Sequence, residues 1–224
     1  MPLRLSVIIP ARDEGEAVTE SIRSALEAGA TEVIVVDGSQ GHETAKAALA
    51  AGATVIAEPA HRGARLNRGA AAATGDALLF LHADTLLPAD ALPAIARAVS
   101  SGRSFGGFRL AFRESTPGLR FTAAMVNLRT RFSRCPWGDQ AQWVTRGAFA
   151  RSGGFREVPL MEDYEFAIRM KRRFGGTLLP QVVLTSGRRF LEKGLVRTTV
   201  TNWVVVLGWR LGVSEERLAS WYRH

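Results

Sequence analysis

The sequence contains little cysteine and no long apolar segment. Its one cysteine, Cys135, cannot form an internal disulfide, so the fold does not depend on an oxidising compartment. We expect Cys135 to be a small buried apolar side chain and not a nucleophile. No apolar run approaches the roughly 18–20 residues that span a bilayer, and residues 1–4 lead into a short strand without the apolar region of a signal peptide. These absences predict a cytoplasmic protein.

Two phosphate-binding motifs are also absent. No Gly-x-Gly-x-x-Gly follows the first predicted strand, which counts against a dinucleotide-binding fold, and the Gly-Lys-Ser of a P-loop does not occur. Internal repeats, low-complexity tracts and flexible linkers are missing as well. The 224 residues therefore predict one domain, or one domain with an appended lobe.

The composition is that of a globular protein with a positive charge. Apolar residues make up 46% of the chain and charged residues 22%, which is typical of a folded protein with a substantial core. The formal net charge of +8 favours anionic partners, among which nucleotides, diphosphates, anionic lipids and nucleic acids all stay open.

Short apolar runs alternate with amphipathic segments near the start of the chain. Strands are predicted at 5–9, 33–36, 54–57 and 77–81, and helices at 16–28, 43–51 and 62–73. This alternation predicts an α/β fold with a mostly parallel twisted sheet flanked by helices on both faces. Further helices are predicted at 89–99, 119–132, 162–174 and from 196 onward, and further strands at 105–112 (with one solvated face), 142–145 and 178–184.

The stretch 77–85 is the centre of this pattern. Five apolar residues in a row predict a strand that is buried on both faces. Because side chains alternate along a strand, His82 and Asp84 are expected to project in the same direction where the strand ends. Both are metal-ligand types, and ligands of open α/β sheets bind outside the carboxyl ends of the strands. The alternative is that Asp84 only caps the next helix.

Acidic residues also follow the first two strands. Residues 10–14 (Pro-Ala-Arg-Asp-Glu) end the first strand, and residues 37–39 (Asp-Gly-Ser) end the second. Carboxylates at this edge of the sheet can accept hydrogen bonds from nucleobase N–H groups or ribose hydroxyls. Ordinary turn chemistry explains each motif equally well when it is taken alone.

Basic residues cluster at two further places. Arg62, Arg65 and Arg68 lie at a predicted helix start, where backbone N–H groups and the helix dipole favour anions. Arg188 and Arg189 follow a predicted strand and are suited to hold phosphate oxygens. Solvated surface charge is the alternative in both cases.

Taken together, these stretches resemble the family-2 glycosyltransferases, which have the A-type nucleotide-sugar fold. The resemblance runs in the expected order through residues 7–10, 35–39, 75–84 and 161–165, and it covers nearly the whole chain. Within that family, residues 81–85, 138–140, 159–163 and 188–189 are similar to a small bacterial subgroup that is labelled as arsenosugar-biosynthesis glycosyltransferases.

The resemblance, together with the positions described above, suggests a role for each candidate residue. The expected nucleotide-binding residues are Pro10, Arg12, Glu14, Asp37, Arg62, Arg65 and Asp84. The expected acceptor or phosphate contacts are Asp139, Gln140, Glu162, Arg188 and Arg189. His82 and Asp84 occupy the family's Asp-x-Asp metal position, and Asp163 occupies the position of the general base, with Glu162 and Glu165 as rivals.

The sequence departs from the family pattern at two positions. His82 replaces the first Asp of the metal motif, and Val36 stands where the family has one of two aspartates before Gly-Ser. Mn²⁺ tolerates an imidazole neighbour better than Mg²⁺ does. The expected cofactor is therefore a divalent metal, Mn²⁺ or Mg²⁺, with a slight preference for Mn²⁺.

The resemblance implies an inverting glycosyltransferase that moves a sugar from a nucleotide-diphosphate donor, most simply a UDP-sugar, to the hydroxyl of an unknown acceptor. Residues 1–224 are then a single catalytic domain, with a nucleotide-binding half at 1–88, an acceptor-side half at 89–190 and C-terminal helices at 191–224. A nucleotidyltransferase on a similar sheet is one alternative, but it predicts a Gly-rich loop where this chain has residues 10–14.

A non-enzymatic basic module that binds nucleic acid or anionic membrane is the other alternative. Residues 186–224 carry seven Arg or Lys and three Glu beside Trp203, Trp209 and Trp221, and such segments can lie in a membrane interface. No RNA-binding aromatic motif is visible, so no nucleic-acid partner is expected. We predict that residues 196–211 dock on protein and do not span a membrane, which leaves peripheral membrane contact and a homodimer open.

Overall fold

The structure is a computed structural model that describes residues 2–223, with side chains up to Tyr222. The two ends of the predicted domain, Met1 and His224, lie outside the described residues. The strands are β1 Leu5–Ala11, β2 Glu32–Asp37, β3 Thr54–Ala57, β4 Ala77–Phe80, β5 Thr85–Leu86, β6 Phe105–Phe112, β7 Gln142–Thr145 and β8 Thr177–Thr185. The α-helices are α1 Val18–Glu27, α2 Glu43–Ala50, α3 Arg62–Ala72, α4 Ala91–Ser100, α5 Pro117–Ser133, α6 Arg146–Ser152, α7 Glu162–Phe174, α8 Arg188–Lys193, α9 Leu195–Arg210 and α10 Glu215–Arg223.

The strands form one sheet in the order β3-β2-β1-β4-β7-β6-β8-β5. Neighbours among β3, β2, β1 and β4 are parallel, whereas β7 is antiparallel to both β4 and β6, and β8 is parallel to β6. The carboxyl ends of β1, β2, β4, β6 and β8 and the beginning of β7 therefore lie on the same edge. We call this edge the carboxyl edge.

Alternating side chains of the sheet build two cores. Val7 and Ile9 of β1 belong to the core under α1, α2 and α4, whereas Ile8 belongs to the core under α3, α6 and α7. This two-sided burial is why the first strands are continuously apolar. The predicted α/β class, with a mostly parallel sheet flanked by helices on both faces, is confirmed.

Strand β1 continues past the point where Pro10 was expected to end it. The carbonyl of Ile8 accepts a hydrogen bond from the N–H of Leu81, so the backbone groups of Ile8 face the β4 side. Because backbone groups alternate along a strand, those of Pro10 face the β4 side as well. Strand β4 already ends at Phe80, which pairs with Ile8. Because no strand lies opposite Pro10 on that side, its missing N–H leaves no ladder hydrogen bond unmade.

The expected geometry of the central strand was wrong in one respect. Strand β4 ends at Phe80, so His82 and Asp84 lie in an irregular segment that closes in a turn. Strand alternation therefore does not orient these two side chains. The loop conformation does, because Leu81 N–H is still tied to β1 while Thr85 N–H turns back to the carbonyl of His82.

Strand β6 also differs from its prediction. Its residues 105–108 are all buried, so this half of the strand has no solvated face. The ring of Trp143 on β7 packs directly against Gly106, where a Cβ would lie only 2.9 Å from ring atoms. This close packing keeps solvent from the strand at Gly106. The sequence pattern did not identify α6 or the two-residue strand β5.

The C-terminal helices pack on the domain through an unexpected face. Val205 and Val206 of α9 form a small core with Met161 and Tyr164 near the start of α7 and with Leu218 of α10. The apolar stripe that the sequence pattern marked on α9 is exposed instead: Val196, Val200, Trp203, Val204, Leu207 and Leu211. Within residues 2–223, no helix combines the length and the apolar character that crossing a membrane requires.

Candidate active site

The loops of the carboxyl edge bring most of the candidate residues together. Glu14 follows β1, Asp37 ends β2 and Asp84 follows β4. Asp139 precedes β7, whose first residue pairs with Phe80 at the end of β4. Antiparallel pairing of β7 thus adds Asp139 to an edge that otherwise consists of the ends of parallel strands.

The turn after β2 encloses an arginine from α3. Oδ1 of Asp37 accepts hydrogen bonds from the N–H (2.9 Å) and Oγ (2.5 Å) of Ser39, which fixes the turn. A Cβ at Gly38 would lie 2.1 Å from Nη1 of Arg65, so a side chain there would displace the guanidinium of Arg65. Arg65 is 8% exposed, and within the part of the chain that the structure describes its Nε and Nη1 have no hydrogen-bond partner. Buried donors without a partner are costly, and an anionic ligand would satisfy them.

Glu14 and Asp84 form an acidic pair in front of β1 and β4. Burial raises the pKa of both carboxyl groups, and the charge of Asp84 further raises the pKa of Glu14. Arg188, at the exposed start of α8, lies close enough to lower both pKa values in part. A bound cation would stabilise the ionised form of this pair.

His82 supplies a neutral imidazole to the cavity that Asp84 also lines. Burial, followed by the charge of Arg62, lowers the pKa of His82 to about 3, so the ring is neutral at physiological pH. Its Nε2 is buried and has no hydrogen-bond partner among the described residues. A Cβ at Gly138 would lie 3.0 Å from this Nε2 and 2.4 Å from Oδ2 of Asp163, so His82, Gly138 and Asp163 converge.

The donor set fits a divalent ion only in part. In the described part of the chain, no three His, Cys, Asp or Glu side chains are grouped as a metal site. Asp84 and His82 line one cavity and offer a carboxylate and an unpartnered imidazole. Two such ligands leave most positions of a six-coordinate ion to be filled by others, as when the ion is shared with a diphosphate.

Asp163 is held by backbone donors at the start of α7. Its Oδ2 accepts from the N–H of Gly138 (2.8 Å) and its Oδ1 from the N–H of Tyr164 (2.7 Å). Met161, two residues before Asp163, has a φ of 73°, a conformation that non-glycine residues rarely adopt. This conformation sets the direction in which the chain enters α7. The carboxylate therefore has a fixed position beside His82 while its side chain stays partly exposed.

The rival acids are engaged elsewhere. Glu162 is buried and forms an ion pair with Arg62 at 2.5 Å. Glu165 pairs with Arg169 through two hydrogen bonds of 2.8 and 2.9 Å. Of these three acids, only Asp163 is held without a cationic partner.

Asp139 has an unusual environment. Burial is the main cause that raises the pKa of its carboxyl group to about 6; the guanidinium of Arg129 lowers that pKa in part, and Asp163 raises it. Oδ1 of Asp139 is buried and finds no hydrogen-bond partner in residues 2–223. The Arg129 guanidinium in turn stacks 3.5 Å above the ring of Trp137. Ionisation of Asp139 therefore lowers the free energy of unfolding.

Gln140 anchors the loop. Its Oε1 accepts from Thr130 Oγ1 (2.8 Å), Arg129 Nη2 (3.2 Å) and the Trp137 N–H (3.3 Å). Its Nε2 donates to the carbonyl of Phe108 (3.0 Å), and the residue is completely buried. Both ends of the amide are thus used inside the protein, in contrast to the contact with acceptor or phosphate that the sequence suggested.

The remaining candidates lie at varied positions. Pro10 is buried in β1, and Arg12 is exposed beside Asp13 at 3.8 Å. Arg189 stacks 3.6 Å above the ring of Tyr222. Cys135 is buried, as expected, and burial raises its pKa to about 11, which is unfavourable for a nucleophile.

A cavity of about 860 Å³ extends outward from these groups. Its inner end is lined by His82, Asp84 and Asp139, and its outer part lies between α5 and α9. The outer lining was missed in the sequence: it includes Phe121, Met125, Leu128 and Phe132 of α5 and Val196, Val200 and Trp203 of α9. A signal was available on α5, where these four residues recur at helical spacing.

Comparison with known proteins assigns the family and supports the fold. The model of glycosyl transferase family 2 matches residues 6–156. Among solved structures, glucosyl-3-phosphoglycerate synthase from Mycobacterium tuberculosis, in complex with Mn²⁺, uridine diphosphate and glucosyl-3-phosphoglycerate, has a TM-score of 0.62 at 19% identity over 90% of this chain and 79% of that one. Mannosyl-3-phosphoglycerate synthase from Rubrobacter xylanophilus has a TM-score of 0.61 at 19% identity over 94% and 76%.

A third similar structure is TarS of S. aureus, with a TM-score of 0.58 at 17% identity. The match covers 83% of this chain but only 35% of TarS, so the chain spans about a third of that protein. No protein of curated function matches the sequence. At such identities the structural likeness concerns the fold, and the expected A-type nucleotide-sugar fold is confirmed.

Proposed function

The chain belongs to glycosyl transferase family 2, and from that premise we propose that it transfers a sugar from a nucleotide-diphosphate donor to an acceptor hydroxyl. The order of the strands carries the proposal. Strands β2, β1, β4 and β7 are neighbours in that order, and they present Asp37, Glu14, Asp84 and Asp139 at the carboxyl edge. With a spacing of about 4.8 Å between strands, this row spans about 14 Å. A nucleoside, a diphosphate and a sugar can lie along it in line.

The nucleotide is assigned to the β2 end of the row. Asp37 and Glu14 accept hydrogen bonds from the base and the ribose hydroxyls. The unpartnered donors of Arg65, with Arg188 across the site, hold phosphate oxygens. A UDP-sugar is the proposed donor, because the similar mycobacterial synthase was crystallised with uridine diphosphate.

Asp84 and His82 are proposed to hold a divalent ion together with the donor diphosphate. When bound, such an ion neutralises the negative charge that develops on the departing diphosphate. The Mn²⁺ in the mycobacterial synthase complex, together with an imidazole among the available ligands, supports Mn²⁺ over Mg²⁺ here.

Asp163 is proposed as the general base. It takes the proton of the acceptor hydroxyl as that oxygen attacks the anomeric carbon from the face opposite the diphosphate, which inverts the configuration. The backbone N–H groups of Gly138 and Tyr164 fix the carboxylate without neutralising it by a cation.

No specific observation favours either alternative function. A nucleotidyltransferase would need a Gly-rich loop after β1, and the sequence has none there. The match to an enzyme family argues against a purely non-enzymatic module.

Thermal unfolding in the presence of nucleotides tests this proposal. A ligand that binds the folded state raises the apparent stability by RT ln(1 + [L]/Kd). We expect UDP with Mn²⁺ to stabilise the protein more than UDP alone, and more than GDP or ADP with Mn²⁺. Asp84→Asn should lose the metal-dependent part of the shift while unfolding at a similar temperature without ligand. No stabilisation by any nucleoside diphosphate would overturn the proposal.

A further inference from the structure

The two helices that border the outer part of the cavity, α5 and α9, expose large apolar side chains. On α5 they are Phe121, Met125, Leu128 and Phe132, and on α9 they are Val196, Val200, Trp203, Val204, Leu207 and Leu211. Phe132 and Val196 are each 78% exposed. We call these ten residues the α5–α9 face. Contiguous exposed apolar surface on a folded protein marks an interaction site more often than chance.

The α5–α9 face is continuous with the catalytic end of the site. Phe121, Phe132 and Trp203 line the same cavity as Asp84 and Asp139. The cavity is therefore polar at its inner end, where Arg129 and Arg189 join the two acids, and apolar where it opens between α5 and α9. A molecule with a polar head and an apolar tail matches this gradient, with its head toward the inner end and its tail outside.

The charge of the surrounding segments discriminates between possible occupants. Arg120, Arg131 and Arg134 are exposed in residues 117–134, and this segment contains no acid. Residues 188–210 contain Arg188, Arg189, Lys193, Arg197 and Arg210 with Glu192 as the single acid. A second copy of the chain on this face would bring like charges together, whereas an anionic lipid surface would bring opposite charges.

We propose that the α5–α9 face docks on the surface of an anionic lipid bilayer. Helices that expose Trp, Phe and aliphatic residues beside arginines and lysines lie in the plane of the interface, with their apolar side chains among the acyl chains. This mode agrees with the absence of any helix that could cross the membrane among residues 2–223. The cavity then opens toward the lipid, so that the hydroxyl of a lipid head group can enter its inner end. The inference that this lipid is the acceptor rests on the proposed glycosyl transfer, whereas docking itself does not.

Flotation with vesicles tests the docking. The full chain is mixed with vesicles of phosphatidylcholine alone or with 30% phosphatidylglycerol, at low salt and at 0.5 M salt. We expect the protein to float with the anionic vesicles and to float less with neutral vesicles, since both charge and apolar insertion contribute. High salt should reduce but not abolish flotation.

Two substitutions with a matched control identify the surface. Phe132→Asp and Trp203→Asp should each lower the fraction bound to anionic vesicles at least tenfold. Leu49→Asp alters an equally exposed apolar residue (60%) on α2, near the β2–β3 end of the sheet, and should bind as the unaltered protein does. A far-UV circular dichroism spectrum and a melting temperature without nucleotide that match those of the unaltered protein show that each variant is folded.

The outcomes separate this inference from the proposed function. Flotation without any nucleotide-induced stabilisation would overturn the proposed function and leave the docking. Nucleotide-induced stabilisation without flotation, or equal flotation of Phe132→Asp and Leu49→Asp, would overturn the docking. A dimer in solution that Phe132→Asp dissociates, with no vesicle binding, would assign the face to self-association and would also overturn it.

Discussion

At the scale of single residues, Asp163 is the most direct test of the chemistry. Asp163→Asn removes the proton acceptor, and loss of a general base typically lowers turnover by about 10²–10⁴-fold. Nucleotide and metal binding should persist, because the residue is assigned to the acceptor side. Turnover of a UDP-sugar, compared with the UDP-induced thermal shift on the same variant, checks both expectations.

Glu165→Gln is the matched control for Asp163→Asn. It alters an acid of the same helix turn whose carboxylate is paired with Arg169 and not directed at His82. Turnover near that of the unaltered protein is expected. If Glu165→Gln abolished turnover and Asp163→Asn retained it, the base would be assigned to the wrong carboxylate.

Asp139 provides a prediction about stability and pH. Its pKa is raised from 3.8 to about 6 by folding, so the folded state binds the proton more tightly than the unfolded chain does. The free energy of unfolding should therefore fall as pH rises through this interval and carry the full penalty above pH 6. Asp139→Asn removes the ionisable group and should increase the free energy of unfolding at pH 7.5 by about 1–3 kcal/mol.

Urea denaturation of Asp139→Asn and of the unaltered protein at pH 4 and pH 7.5 checks this sign. The advantage of the variant should nearly vanish at pH 4, where Asp139 approaches full protonation in the folded state. An equal difference at both pH values would mean that the substitution acts through packing and not through ionisation.

The residue scale also shows what sequence patterns can and cannot reveal. The acids that end β1, β2 and β4 were identified as site candidates because they follow apolar runs directly. The unpartnered donors of Arg65 and the complete burial of Gln140 were not apparent. Whether a polar side chain faces a ligand or the interior depends on which distant residues surround it, and local spacing does not specify them.

At the scale of elements, the packing of α3 on the sheet sets the position of Arg62 and Arg65. Gly69 allows this close approach, since a Cβ there would lie 2.5 Å from Cγ2 of Ile8 and 3.0 Å from Cγ2 of Val36. Glycine in a helix interior ordinarily costs about 1 kcal/mol relative to alanine. At Gly69 the steric clash should dominate, and Gly69→Ala should lower the free energy of unfolding by about 1–3 kcal/mol.

Gly147→Ala in α6 is the helical control for Gly69→Ala. There the nearest atom to a Cβ is Nη1 of Arg151 at 3.3 Å, the end of a flexible side chain. We expect its free energy of unfolding to be unchanged or slightly increased. Denaturation of both variants measures the contrast, and stabilisation by Gly69→Ala would contradict the close packing of α3 on β1.

At the scale of the whole molecule, the C-terminal helices support the start of α7. Val205, Val206 and Leu218 cover Met161 and Tyr164, and the Nε of Arg210 donates to the Tyr164 hydroxyl at 3.0 Å. Removal of residues 195–224 would expose this small core two residues from Asp163. We expect the shortened protein to aggregate at concentrations at which the full chain stays monodisperse in light scattering. A monodisperse shortened chain with an unchanged melting temperature would show that α9 and α10 are dispensable for the fold.

The sequence by itself determined the parallel half of the molecule. Short continuous apolar runs and amphipathic segments of period 3.6 are local signals, so β2, β3, α2 and α3 were located to within one residue at each end. The same local order placed Asp37, Glu14 and Asp84 on one edge, because consecutive βαβ units return every strand in the same direction.

Only the tertiary structure decided which of these groups meet on the acceptor side. Strand β7 enters antiparallel beside β4, and this long-range pairing brings Asp139 and Gly138 to His82 and Asp163. Tertiary packing likewise buried Val205 and Val206 of α9 and left the more regular apolar stripe outside. Periodicity shows that a helix has apolar residues, but the side of the helix that is buried depends on the surfaces available to it, and those belong to segments far away in the chain.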